Sequence, residues 1–73
     1  MNIRALHLHT MLTTISREVL HVDEDVDSMF SFIMDGEYTS EDLENAQFLS
    51  RSIKELSVLV KKWEVSVLDR IDK

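Results

Sequence analysis

The sequence predicts an all-α fold, an antiparallel hairpin of two long helices. Three observations carry the prediction. Two ladders of apolar residues climb in strictly alternating steps of three and four. The first is Ala5, Leu8, Leu12, Ile15, Val19, Val22, Val26, Met29, Ile33, and the second is Ala46, Leu49, Ile53, Leu56, Val60, Trp63, Val67. Such steps hold side chains on one stripe of a helix. The chain has one glycine and no proline, so little interrupts a helix. That glycine falls between the ladders, in Asp35-Gly36-Glu37-Tyr38-Thr39-Ser40, which reads as a turn.

The first helix is expected over 3–34. Asn2 is its N-cap, with a side chain suited to accept from an orphan amide of the first turn. Asp23-Glu24-Asp25 is its weak point, because Asp prefers helix ends to helix interiors. One reading is a continuous helix, since the ladder crosses Asp23 in phase. The other is a kink within 21–25, with Asp23 capping a second segment.

The turn is expected over 35–39, with Gly36 in the left-handed conformation that closes many helices. The second helix is expected over 40–71. Thr39-Ser40-Glu41-Asp42 matches a capping box, with Thr39 as N-cap and Asp42 reaching back. Glu41, Asp42 and Glu44 also suit the positive end of the helix dipole.

A short turn makes the helices antiparallel neighbours. If the stripes face each other, paired residue numbers add to about 75, as for Leu8 with Val67 or Leu12 with Trp63. The same register brings Arg51 and Lys54 near Asp23 and Asp25.

Apolar residues are left over. Phe30, Phe32, Met34 and Phe48 lie off the stripe near the turn, and Leu6, Val58, Val65, Leu68 and Ile71 lie off it toward the open end. Val58, Val65 and Leu68 form a second stripe on the back of the second helix. Phe30, Phe32, Met34, Phe48, Val58, Val65 and Leu68 are therefore the candidate partner-binding residues. Their burial calls for a bundle, completed either by self-association or by a helical partner. The plainer alternative is that they stay wet, as scattered apolar side chains often do. Ser50, Ser52, Ser57 and Ser66 flank the second stripe and would permit close helix approach, or are ordinary polar surface.

Composition narrows the function. At 73 residues the chain makes a single domain, 1–73, with a small core. It has no cysteine, which fits a reducing compartment, and no signal-peptide pattern or membrane-length apolar run, so a cytoplasmic location is expected. Net charge is −6 and its placement is uneven: residues 23–44 hold nine acidic and no basic side chains. That disfavours nucleic acid as a partner, as phosphates need basic faces. The only basic candidates are Arg51, Lys54, Lys61, Lys62 and Arg70.

Catalytic, cofactor and metal sites are not expected. His7 and His9 diverge on a helix, and no histidine, His21 included, has another four residues away. Asp23 to Asp27 lacks the central glycine and terminal Glu of a calcium loop. One glycine cannot supply a phosphate-binding loop, and a two-helix hairpin offers no pocket that excludes water.

The layout, with a first helix, Gly36-Glu37-Tyr38, and a capped second helix running through Lys54-Glu55-Leu56 to Trp63, resembles the YscE/EscE-type co-chaperones of type III secretion. The resemblance is one of architecture over the whole chain. It implies a heterodimer with a tetratricopeptide-like chaperone, the two together keeping a needle subunit monomeric in the cytosol, with the off-stripe residues as docking surface. The first ladder is longer here and the tip more acidic. Read from the residues, the chain is a non-enzymatic protein-binding module, a co-chaperone or adaptor for a helical partner. The alternatives are a homodimeric four-helix-bundle regulator of plasmid or phage type, with Ile53, Val60 and Val67 at a and Leu49 and Leu56 at d, and an acidic inhibitor of a nucleic-acid-binding protein.

Overall fold

The computed structural model describes residues 1–72. Two helices, α1 (Ile3–Met34) and α2 (Ser40–Leu68), pack against each other as an all-α hairpin. Each starts on the cap its sequence supplies. The Asn2 side chain accepts from the Ala5 amide at 3.1 Å, and the Thr39 hydroxyl accepts from the Asp42 amide at 3.0 Å. Each cap satisfies one of the four amides a helix start leaves without a partner.

α1 runs through Asp23-Glu24-Asp25 as one continuous helix. The Asp23 carboxylate faces the other helix rather than its own backbone. Lys54 donates to Asp23 Oδ1 at 3.0 Å and also lies 3.5 Å from Asp27.

The turn corrects the expectation for Gly36. No residue among those described has positive φ, Gly36 included. The helix closes by tightening instead. The Asp35 amide donates to Ser31 and Ile33 carbonyls, and the Gly36 amide donates to the Ile33 carbonyl at 3.3 Å. The Gly36 bond, reaching three residues back, is the tightened one, and together they satisfy these last carbonyls without a left-handed residue.

The far end of α2 is a second correction: the helix stops at Leu68, not at residue 71. Residues 69–72 form turns in which Arg70 and Ile71 donate to the Val67 and Leu68 carbonyls, three residues back. The tighter winding has a tertiary cause. It brings the Ile71 carbonyl to the Asn2 amide at 2.7 Å, joining the two chain ends.

Cross-helix partners confirm the antiparallel register. Asn2 with Ile71, Thr13 with Glu64 and Asp23 with Lys54 have residue numbers adding to 73 or 77, either side of 75. The core is thin. Ala5, Leu12, Val19, Val26, Ala46, Val60 and Val67 are buried, and of these only Val67 has no exposure at all. Ala5, Leu12, Val60 and Val67 cluster at the open end, with Leu8 and Ile71 against them.

The hairpin is a rod of 55 × 15 × 12 Å with a radius of gyration of 16.6 Å. A compact domain of this length has a radius near 11 Å. Two helices alone cannot wrap a core, so most apolar side chains lie on its surface.

Candidate functional site

The buried residues recur every seven positions: 5, 12, 19 and 26 on α1, and 46, 60 and 67 on α2. With Ala5 and Ala46 as position a of a heptad, a is the centre of the seam. On an antiparallel pair, positions e and b of both helices flank one side of the seam, and d and g flank the other. The two sides differ in what joins the helices across them.

The e/b side carries the polar ties between the helices, although Leu6, Leu20, Met34 and Leu68 at b are apolar and exposed. Thr13 (b) donates to Glu64 (e) at 3.0 Å. His9 Nε2 (e) and Lys61 Nζ (b) each lie 4.0 Å from a Glu64 oxygen. Glu64 Oε2 is buried without a hydrogen-bond partner. Lys54 (b) bridges Asp23 (e) and Asp27 (b) on the same side. The hydrogen bond from Lys54 to Asp23, reinforced by the charges of both aspartates, raises the Lys54 pKa above its ordinary value. The sequence expects Arg51 and Asp25 in this cluster, and they are not there. Arg51 occupies outward position f, and Asp25 occupies g on the opposite side, so neither forms an ion pair among the described residues. Ser16, Ser50 and Ser57 at e are half-buried. Their small side chains let the helices close in on this side.

Closing on one side opens the other. The d/g side carries Ile15, Val22, Leu49, Leu56 and Trp63 at d, and Met11, Phe32 and Leu59 at g, all exposed. Trp63 is 49% exposed, Leu59 60% and Phe32 82%. The d residues belong to the ladders, where the sequence pairs them across the seam. The structure turns them outward, for the reason just given: the seam is centred on a and leans toward e. The result is an apolar strip along the rod, interrupted at its margin by Glu18 and Asp25 at g.

The seven candidate residues do not converge. Phe32 joins the d/g face. Phe30, Met34 and Leu68 fall on the e/b side, Phe30 half-buried. Phe48, Val58 and Val65 lie on the outer back of α2. The d/g face does not stand out in the sequence, because its residues belong to ladders whose pattern marks them as buried. The signal was present in the serines at 16, 50 and 57, which mark the side on which the helices approach.

Among the described residues no helix is long and apolar enough to cross a membrane. No group of three or more His, Cys, Asp or Glu among them is placed to hold a metal ion. The chain matches no protein-family model, no curated protein and no solved structure. The d/g face, rather than kinship, is therefore what any functional reading rests on. Its two ends differ. At the open end, Arg4, Leu8, Met11 and Arg70 line a groove of about 550 Å³. At the turn end, Phe32 stands beside Asp35, Glu37 and Asp42.

Proposed function

We propose that this chain is a non-enzymatic protein-binding module that docks amphipathic helices on its d/g face. In its finer form it is a cytoplasmic co-chaperone or adaptor, of the kind found in type III secretion, that shields the apolar side of a helical partner. The observation that carries the reading is the segregation of the two sides. All the cross-helix side-chain ties sit on e/b, while d/g offers Ile15, Leu56, Leu59 and Trp63 with nothing over them. An exposed apolar strip on a small protein is the usual mark of a partner surface, and helix-in-groove docking reads it through residues at i, i+3, i+4 and i+7.

The test uses a designed amphipathic Leu/Lys peptide and a scrambled peptide of the same composition. The ordered peptide is expected to bind and gain helicity, and Leu56→Asp is expected to abolish this. Equal binding of both peptides, or binding untouched by Leu56→Asp, sinks the reading.

A further inference from the structure

Area and charge together indicate what covers the d/g face when no other helical protein is present. The rod exposes 5768 Å², whereas compact monomers of its mass expose roughly 4,650 Å². The excess of about 1,100 Å² compares with the ~800 Å² that each partner contributes to a standard stable interface. A face 55 Å long and 15 Å wide supplies that area.

Charge then selects the orientation. Two copies stacked face to face can share a two-fold axis along the helices, turn on turn. That sets the acidic turn end of one copy, with Asp35, Glu37 and Asp42, against the same residues of the other. The axis can instead run across the helices, placing each turn over the other copy's open end. There the acidic cluster of Asp35, Glu37 and Asp42 meets Arg4 and Arg70. Complementary ends favour the second arrangement, and like charges oppose the first.

We propose that the chain covers its d/g face with a second copy of itself, stacked antiparallel into a four-helix bundle. The proposal rests on the reading of that face as a docking surface, and it names the occupant. Pairing about the mid-point of α2 at Leu56 sets Arg70 opposite Asp42 of the second copy, both at position d. The same symmetry lays Phe32 over the groove between Arg4 and Leu8. Because the contact is isologous, each of these meetings occurs twice. Glu18 approaches its own mate near the axis, but at the wet margin of the face, where like charges cost little. A helical client that competes for the face does so by displacing the second copy.

The experiment is sedimentation equilibrium on the full chain, with helicity monitored by circular dichroism. The expected mass is twice 8.5 kDa. Arg70→Glu should weaken the dimer about tenfold by setting like charges together twice, and adding Asp42→Arg should restore it. The two positions are about 42 Å apart along one helix, so rescue has to act between copies. A Leu56→Cys chain, the only thiol present, should cross-link to itself on oxidation, while Leu49→Cys and Trp63→Cys each alone should not. A dimer with neither rescue nor the Leu56→Cys cross-link overturns the antiparallel arrangement. A monomer that still binds the ordered Leu/Lys peptide overturns self-pairing and leaves the docking surface standing. A monomer that binds neither overturns both.

Discussion

The Thr13 hydroxyl donates to Glu64 across the helix pair at 3.0 Å, and the same hydroxyl lies 3.0 Å from the His9 carbonyl one turn back on its own helix. A hydroxyl has one proton, so two acceptors share it. Glu64 is thus held by half a hydrogen bond, with its second oxygen buried and unpartnered. This is a weak point in the polar side of the seam. Unsatisfied buried polar atoms cost about 1–3 kcal/mol, whereas apolar replacement of both partners can be neutral or better. Thr13→Val alone is expected to lower stability by about 1 kcal/mol. Thr13→Val with Glu64→Met should recover at least that loss. Urea denaturation of the four members of the cycle measures it, and a double variant less stable than Thr13→Val contradicts this account.

Gly36 has no need to be glycine. Its φ is not positive, and a Cβ there would meet only the Phe32 carbonyl oxygen at 3.9 Å. Gly36→Ala should stabilise the hairpin by about 0.4–1 kcal/mol, by restricting the unfolded chain. A destabilised variant would show that the turn depends on a conformation alanine cannot reach. Thermal unfolding followed by far-ultraviolet circular dichroism gives the answer.

Association should separate the two apolar surfaces of α2. Leu56→Asp, on the d/g face, is expected to abolish association and leave helicity largely intact, since Leu56 is 42% exposed already. Val58→Asp with Val65→Asp, on the outer back, is expected to leave association within about threefold, as surface changes away from an interface usually do. The opposite result moves the docking surface to the back of α2, where Val58, Val65 and Phe48 lie. Size-exclusion chromatography with light scattering resolves the two outcomes.

Lys54 ties Asp23 and Asp27 to α2, and its pKa is raised by the hydrogen bond to Asp23 and the nearby charges. A raised pKa means that the folded state favours the protonated amine. The contribution is therefore fully present below the ordinary lysine value of 10.5 and disappears as pH climbs past it. Lys54 is exposed, so the effect is small. The melting temperature of the native chain should exceed that of Lys54→Met at neutral pH, and the gap should close in strong alkali. A gap that is constant with pH would assign the difference to packing of the lysine stem instead.

Asn2 holds both chain ends, capping α1 through its side chain and bonding the Ile71 carbonyl through its amide. Asn2→Ala should cost about 1 kcal/mol through the lost cap, while Asn2→Asp should retain it. Hydrogen exchange at the Ala5 amide reads the cap directly, and unchanged protection in Asn2→Ala would deny the side chain its role.

Much of this was legible in the residues. The ladders, the caps at Asn2 and Thr39 and the reversal around Gly36 all follow from local rules, because helix periodicity and capping act over three or four residues. The continuity of α1 through Asp23 is open to local rules, because the partner that Asp23 meets is Lys54, thirty-one residues away. The periodicity alone carries α2 to residue 71, but its winding tightens after Leu68, where the chain reaches Asn2. The d/g face is the least legible feature, because its residues are ladder residues by pattern.

Heptad spacing dictates two helices and their antiparallel pairing, since an apolar stripe must find another stripe whatever else is present. It leaves free how each helix rotates about its own axis. That rotation depends on whether the helices close in on the e side or the d side, and so on side chains of both helices at once. Serines at 16, 50 and 57 and the ties from Thr13 and Lys54 draw the seam toward e. Ile15, Val22, Leu49, Leu56 and Trp63 are thereby turned outward, and the face that carries the proposed function comes into being only when the two helices meet.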